Sequence, residues 1–274
     1  MVVGTHYAGF CAALVRSVWP PARFAAVVHS VYAIAESRGL RQWIVRAGFR
    51  RCDAVIVSSA DIGRRILAEQ LIASPSSVFL LPDGPPPVAS PAIGHSKYAF
   101  SGGISARNWD GLAAVVRATS AEVDWIIACP AHDRRRFADV PRVRVLTDIP
   151  IDAFDGRIAG ASIVVATCHD DRVAGVTLIR AAQVAGIVVI ACGSPVLSEY
   201  VESGVDGVLA DDLEDTLQWV LKAWRGKDGG SRLRAGARAR PELDRQKLRE
   251  ANVRLADFLE RIDKSRGSNE LRTM

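Results

Sequence analysis

Two runs of alternating strand-like and helix-like segments, separated by a proline-rich stretch, are the feature that most restricts the fold of this chain. Short stretches rich in β-branched residues recur between segments whose apolar residues have a helical spacing. The strand-like stretches are, in order, AAVVHS, DAVIVSS, SVFLLP, YAFSGG, DWIIACP, VRVLTD, SIVVATC, GIVVIAC and GVLADD. Apolar strands that alternate with helices indicate parallel sheets covered by helices on both faces. The predicted class is therefore α/β, with two parallel-sheet domains.

The break between the two domains is the stretch LPDGPPPVASPAIGHS, which carries five prolines and two glycines. Such a stretch continues neither a helix nor a central strand. After the second domain, Pro241 is predicted to open a last helix with one apolar face, formed by Leu248, Ala251, Leu255, Phe258, Leu259 and Ile262. The predicted division is 1–84 for a partial N-terminal domain, 85–97 for the linker, 98–232 for the C-terminal domain, and 233–274 for an amphipathic helix and tail.

The first domain has fewer strands than a doubly wound sheet normally needs. About three convincing strands occur before residue 84, whereas sheets of this kind usually have roughly five or six. Either the chain starts late relative to its relatives, or a partner chain completes this sheet. The N-terminal domain is therefore predicted to be incomplete.

Composition narrows the function classes only moderately. The chain has 35 basic and 30 acidic residues, a net charge of +5, and no basic tract with interleaved aromatics of the kind that single-strand nucleic-acid binders use. A nucleic-acid partner is therefore not expected. The cysteines lie far apart without a CxxC pair, which predicts buried thiols and no metal site: Cys11, Cys52, Cys129, Cys168 and Cys192. With no signal peptide or membrane-spanning stretch in the sequence, a cytoplasmic location is the expectation.

Two glycine-bearing turns are the candidate ligand-binding features. Gly102 and Gly103 follow the first strand of the second domain, and Arg107 precedes the next helix. Gly175 stands directly before a helix predicted over 176–185, with Thr177 in its first turn. Backbone N–H groups at a helix start and one guanidinium suit a diphosphate. Neither glycine turn is specific alone, because each would also serve a turn that has only a geometric role.

The order of motifs in the second domain resembles that of retaining GT-B glycosyltransferases of the "glycosyl transferases group 1" family. The matching pieces are FSGG, RNWDGL and GVTLIRAAQVAGIVVIACGSPVLSEYVESGVDGVL, with weaker likeness in AAVVHS, CDAVIVSS and LLPDG. Together they cover most of residues 24–221. The resemblance implies a GT-B fold with two Rossmann-like parallel-sheet domains, the N-terminal one incomplete. It further implies transfer of a sugar from a nucleotide sugar to a glycan, lipid-linked or small-molecule acceptor, without a cofactor.

Site residues follow from the same resemblance. The base would lie against the strand end between Thr147 and Ile149. His29 matches a family histidine beside the transferred sugar; a histidine that only caps its strand is the alternative. The residues that would contact the donor diphosphate are Gly102, Gly103, Arg107, Gly175, Val176 and Thr177.

The chain departs from the family at two acidic positions. Family members carry glutamates eight residues apart around the second glycine turn, and here these positions are Arg172 and Arg180. Arg180 has only donors, so it can contact hydroxyl lone pairs or a phosphate without replacing a carboxylate. Asp170 or Asp171 can supply the missing acidic group if the loop is shifted by one residue, and we assign the catalytic roles to His29 and Asp171. Ile104 stands where the family has a basic residue.

Three alternatives therefore stay open on the sequence. The first is an active retaining glycosyltransferase. The second is a GT-B remnant that lost its carboxylates and binds a nucleotide or a partner chain. The third, sugar-nucleotide epimerisation, has no specific support.

Two further surface features received weaker interpretations. The triple arginine at 134–136 is interpreted first as a solvated face, with contact to anionic lipid at the inner face of the membrane as the second interpretation. We assign His132 and His169 no ligand role, because neither has a partner at metal-ligand spacing.

Overall fold

The structure, a computed structural model, describes residues 2–3, 25–27, 39–50, 52–72, 74–86, 97–104, 106–169, 174–226 and 230–270. The chain divides into two compact units. The first unit comprises Met1–Pro82 and Asp244–Met274, and the second comprises Asp83–Leu243. The segment predicted as a separate tail from residue 233 is thus shared between the units.

The first unit contains a parallel sheet whose order follows the chain. Its described strands are β1 (Val2–Val3), β2 (Ala25–Val27), β3 (Val55–Val57) and β4 (Val78–Leu80), paired in the order β1-β2-β3-β4. The predicted strands in AAVVHS, DAVIVSS and SVFLLP are confirmed, whereas β1 was not predicted. Two residues are too few to show an alternating or continuous apolar pattern, so the sequence held no signal for β1.

Two described helices lie between these strands, α1 (Leu40–Arg50) and α2 (Ala60–Ala68). The Ser59 side chain caps α2 by accepting from the backbone N–H of Asp61 at 3.1 Å and of Ile62 at 3.4 Å. The apolar face of α2 buries Ile62 and Ile66 completely or nearly so. The three residues of β3 are buried as well, as expected for a central strand of a parallel sheet.

The last helix, α8 (Gly230–Glu270), is longer than the sequence indicated, and Pro241 lies inside it. The prediction that Pro241 begins the helix is therefore wrong. Proline is common at a helix start because it lacks an N–H, but the preceding segment SRLRAGARAR is rich in strong helix formers. Their propensity, together with burial of Leu233 and Ala237, extends the helix upstream of the proline.

The second unit contains a six-stranded parallel sheet in the order β10-β9-β8-β5-β6-β7. All six strands predicted in this half of the chain are present. The strands are β5 (Ala99–Gly102), β6 (Trp125–Ala128), β7 (Val143–Leu146), β8 (Ile163–Thr167), β9 (Val188–Cys192) and β10 (Val208–Ala210). From β7 to β10 the order is that of a doubly wound Rossmann sheet, with the direction of winding reversed between β5 and β8. The predicted α/β class with parallel sheets is confirmed.

Helices cover both faces of this sheet. The described α-helices of the second unit that precede α8 are α3 (Trp109–Thr119), α4 (Ile151–Ala159), α5 (Val176–Ala185), α6 (Leu197–Tyr200) and α7 (Leu213–Trp224). One face packs Phe100 and Val164 with side chains of α4, α5 and α6. The other face packs Trp125 and Ile127 with side chains of α3 and α7. Because both faces of the sheet are covered, the strands are predominantly apolar, with the exposed Arg144 of the edge strand β7 as an exception, and this pattern is why the sequence revealed them.

Candidate functional site

The turns after β5 and β8 meet at the point where the sheet reverses its direction of winding. Arg107 and Cys168 form an isolated antiparallel bridge. Next to it, the Asn108 N–H donates to the Thr167 carbonyl at 3.1 Å, and the Thr167 hydroxyl donates to the Asn108 carbonyl at 3.1 Å. In open parallel sheets, ligands bind outside the carboxyl ends of the strands at this reversal. The fold therefore brings the two predicted glycine turns together where such sheets bind ligands.

Three glycines make room for the side chains around this point. A Cβ atom at Gly102 would lie 2.6 Å from the Phe154 ring. A Cβ atom at Gly103, whose φ is +141°, would lie 2.6 Å from Nε of Arg107. A Cβ atom at Gly175, whose φ is +85°, would lie 2.6 Å from Nη1 of Arg107. The guanidinium of Arg107 therefore lies against both predicted turns.

Arg107 is a buried cation with few partners. Its side chain is 8% exposed, Nη1 donates to Cys168 Sγ at 3.4 Å, and Nε has no hydrogen-bond partner. No carboxylate of the described residues forms an ion pair with it. A buried charge without a counter-ion is costly, so a bound anion would stabilise this arrangement.

Cys168 is affected by the same cation. Burial raises the pKa of the Cys168 thiol, and the neighbouring Arg107 guanidinium lowers that pKa again in part. The thiol is 2% exposed, so it contributes a neutral contact to Arg107 and no surface for a ligand.

Among the described residues, no side chain caps the helix start at Gly175. Gly175 is the N-cap of α5 in the left-handed conformation, without a side-chain hydrogen bond to the first turn. No acidic residue lies in that turn. The N–H groups of Val176 and Thr177 lack acceptors within the helix, and the helix dipole adds positive potential at this end. The helix begins at Val176, as predicted.

A pocket of about 490 Å³ opens beside Arg107. It is lined by Ile104, Ala106, Arg107, Trp109, His132, Asp133 and His169. These residues follow three strands of the sheet, β5, β6 and β8, because carboxyl ends of parallel strands share one edge. Volumes of about 300–1,000 Å³ are usual for small-molecule sites.

Thr147 and Ile149 lie farther from this centre. They follow β7, the edge strand, which is separated from β5 by β6. Ile149 packs against the core on the α4 side of the sheet. At about 4.8 Å between neighbouring strands, the β7 end is roughly 10 Å from β5. Contact of these two residues with a base stays a prediction.

Arg180 is turned into the protein. Its side chain is 2% exposed, Nη1 donates to the Gln183 side-chain carbonyl at 3.1 Å, and the guanidinium carbon lies 4.7 Å from the centre of the Tyr200 ring. The sequence placed Arg180 at the donor. In this arrangement it packs inside the molecule, so contact with a ligand would need the side chain to move.

The two predicted catalytic residues, His29 and Asp171, lie outside the described residues, as do Asp170 and Arg172. Within the described parts of the chain, no group of three or more His, Cys, Asp or Glu side chains is placed to hold a metal ion. None of the described helices has the length and hydropathy needed to cross a membrane.

His132 and His169 line the pocket, although the sequence analysis gave neither of them a ligand role. Each follows a strand, β6 and β8 respectively, at the edge where ligands bind in such sheets. Their position directly after parallel strands could have marked both histidines as site residues. Their spacing along the chain could not, because the sheet brings distant parts of the chain to the same pocket.

The strand order of the second unit defines a doubly wound α/β sheet of the Rossmann type. The sequence matches no protein-family model and no curated protein. Solved structures of glycosyltransferases share its fold. HepE from Anabaena, determined with UDP and glucose, has a TM-score of 0.71 at 15% identity, covering 94% of this chain and 77% of HepE.

Two further structures agree. Sucrose-phosphate synthase from Thermosynechococcus elongatus has a TM-score of 0.73 at 14% identity, covering 96% of this chain and 73% of that enzyme. TarM from S. aureus, determined with UDP, has a TM-score of 0.68 at 13% identity, covering 86% of this chain. The chain spans about half the length of TarM, 50%. The fold is thus of the GT-B glycosyltransferase type, as the sequence predicted.

Proposed function

We propose that this chain is a glycosyltransferase that moves a sugar from a nucleoside diphosphate donor to a hydroxyl acceptor with retention of the anomeric configuration. The observation that carries the proposal is the buried guanidinium of Arg107, which has an unpartnered Nε and lies against both glycine turns. A diphosphate is the group that such a centre suits, because it offers oxyanions to a guanidinium and to helix N–H groups together.

The chemistry follows from what these groups stabilise. The bond between the anomeric carbon and the diphosphate oxygen breaks, and its electron pair goes to the diphosphate. Arg107 and the N–H groups of Val176 and Thr177 stabilise that growing negative charge. The acceptor hydroxyl attacks from the same face and gives its proton to the leaving phosphate oxygen, which accounts for retention without a protein nucleophile.

The remaining parts of the proposal concern residues and partners beyond this centre. We assign His29 a position beside the transferred sugar, and Asp171 the role of the carboxylate that the family has in this loop. The acceptor is a glycan, a lipid-linked hydroxyl or a small molecule. A lipid-linked acceptor would bring the chain to the inner face of the membrane. No cofactor is proposed, because Arg107 and the α5 helix start supply the charge stabilisation.

A second function is favoured by one observation, the burial of Arg180 against Tyr200. An arginine packed inward at the position of a family glutamate suits a protein that kept the fold and lost the reaction. Such a protein would bind the nucleotide without turnover, alone or with a partner chain.

The test combines calorimetry with a turnover assay on the full chain. UDP and GDP are titrated first, and then a panel of nucleotide sugars is assayed for release of nucleoside diphosphate with and without hydroxyl acceptors. Turnover of at least one donor supports the transferase, and binding without turnover supports the second function. A chain that binds neither nucleotide and turns over no donor contradicts both.

A further inference from the structure

The pocket beside Arg107 is larger than a diphosphate site requires. Its volume is about 490 Å³, and it is bounded by Ile104 and Ala106 after β5, His132 after β6 and His169 after β8. The wall toward α3 includes the Trp109 side chain, which is 8% exposed. There is therefore room for a sugar-sized group next to the diphosphate.

The polar lining of this pocket is mainly composed of hydrogen-bond donors. The Asp133 carboxylate is 4% exposed, and its oxygens are occupied: Oδ1 accepts from Arg136 Nε at 2.7 Å, and Oδ2 lies 3.1 Å from His132 Nε2. Arg136 also pairs with Asp110, so its charge is shared between two carboxylates. Among the described residues, Arg107 is the buried cation of the lining that has no ion pair.

The two histidines add ring N–H donors to this lining. Among the described residues, the imidazole of His169 has no hydrogen-bond or ion-pair partner, although its backbone N–H donates to Ala106 at 3.4 Å. The His132 side chain is 80% exposed, and its Nε2 lies 3.1 Å from Asp133 Oδ2. Trp109 supplies a buried apolar wall, whereas the Ile104 side chain is 87% exposed and leaves that side of the pocket in contact with water.

We infer that this pocket holds a second oxyanion, a carboxylate or phosphate, in addition to the donor diphosphate, bound by Arg107, His132 and His169. The inference rests on the proposed function for the position of the diphosphate. A guanidinium has five N–H donors, so Arg107 is able to contact two neighbouring oxyanions. The two sources of the second oxyanion are a carboxylate on the transferred sugar and free inorganic phosphate.

The test measures affinities by calorimetry for the full chain and for a variant with His132→Gln and His169→Gln. The ligands are UDP, UDP-glucose and UDP-glucuronate, and UDP titrated in the presence of inorganic phosphate. The guanine series GDP, GDP-mannose and GDP-mannuronate replaces them if UDP does not bind. Hydrogen bonds to a charged group predict that the acidic sugar binds at least about tenfold more tightly than the neutral one, or that phosphate tightens UDP binding similarly.

The variants decide what causes such a preference. The ratio of the two affinities should fall in the double histidine variant, because the second oxyanion then keeps only its contact with Arg107. Arg144→Gln is the matched control. It removes the positive charge of an exposed side chain on β7, and Arg144 does not line the pocket. The control should keep the full ratio.

The remaining outcomes separate this inference from the proposed function. If UDP binds but neither the acidic sugar nor phosphate changes the affinity, the inference is wrong and the proposed function stands. If no nucleotide binds, titration of inorganic phosphate alone decides: binding that the double variant loses supports the oxyanion pocket. Absence of phosphate binding as well would contradict both.

Discussion

The guanidinium of Arg107 fills the space in which a side chain at Gly175 would lie. A Cβ atom there would lie 2.6 Å from Nη1 of Arg107 and 3.1 Å from Cys168 Sγ. Gly175 also has a φ of +85°, a conformation that favours glycine. The glycine is therefore needed twice, for its backbone conformation and for the close approach of a buried cation.

Gly175→Ala tests this relationship. The added methyl group would displace the guanidinium, and the positive φ would strain the alanine. We expect a loss of about 1–3 kcal/mol in the free energy of unfolding. UDP affinity should fall at least about tenfold, because the charge no longer faces the start of α5. Chemical denaturation and calorimetry measure the two effects.

Gly156→Ala is the matched control for that change. Gly156 lies inside α4, and a Cβ atom there would have nothing within 4 Å. The substitution should raise the free energy of unfolding by about 0.4–1 kcal/mol and leave UDP affinity unchanged. Equal UDP affinities in the two variants would show that Arg107 does not need the space at Gly175.

Arg107→Met is expected to separate stability from binding. Because Arg107 is buried with an unpartnered Nε and no described ion pair, its replacement by a methionine of similar length should stabilise the unliganded protein by about 1–3 kcal/mol. UDP binding should be lost. Thermal unfolding with and without UDP measures both. If Arg107→Met unfolds at a lower temperature than the original protein, Arg107 stabilises the folded core, and its burial is no evidence for a ligand.

The fold was largely predictable because buried parallel strands are visible in a sequence. The strands of the second unit are predominantly apolar, although β7 contains the exposed Arg144, and their number and positions were predicted correctly. The two-residue strand Val2–Val3 and the start of α8 were not predicted. The first is too short for a pattern, and in the second the helix propensity upstream of Pro241 outweighed a good start signal.

The candidate site was only partly predictable. Arg107 and Gly175 were selected because turns after parallel strands share one edge, and the structure brings them together. Arg180 was placed by resemblance at the donor, but its direction depends on the Tyr200 ring, which lies twenty residues further along the chain. Chain position alone cannot show which way a helical side chain of this length packs.

The cysteines provide a test of burial around the site. Burial raises the pKa of Cys129 to about 11, so at pH 8 roughly one molecule in a thousand carries its thiolate. The less buried Cys52 should therefore react with iodoacetamide before Cys129 and Cys168. Mass spectrometry of the native chain at pH 8 measures this order.

The same experiment should detect the effect of the Arg107 guanidinium on the rate at which Cys168 is labelled. Arg107 lowers the pKa of that thiol, so Arg107→Met should raise the pKa further and slow its labelling in the native state. Labelling in denaturant should then be equal for both proteins.

For the order of labelling predicted above, rapid labelling of native Cys129 at pH 8 would contradict the burial of the strand end after β6.

Arg240, within α8, forms a buried ion pair with Asp206 whose loss should destabilise the second unit. Arg240 Nη1 lies 2.6 Å from Asp206 Oδ2, with side chains 8% and 2% exposed, and Nη2 donates to the Glu199 carbonyl at 2.9 Å. Arg240→Met would leave the Asp206 carboxylate buried without its cation. We expect a loss of about 3–5 kcal/mol in the free energy of unfolding, measured by chemical denaturation of the full chain.

A second substitution distinguishes the charge from the packing of this pair. In the Arg240→Met background, Asp206→Asn removes the uncompensated charge and keeps an acceptor for the Glu202 N–H, which Asp206 binds at 2.7 Å. The double variant should therefore be more stable than Arg240→Met alone. Arg142→Met is the control, because its pair with Asp124 is about half exposed and solvent screens it, so its loss should matter much less. If Arg240→Met and Arg142→Met unfold at the same denaturant concentration, the buried pair contributes nothing that the surface pair does not.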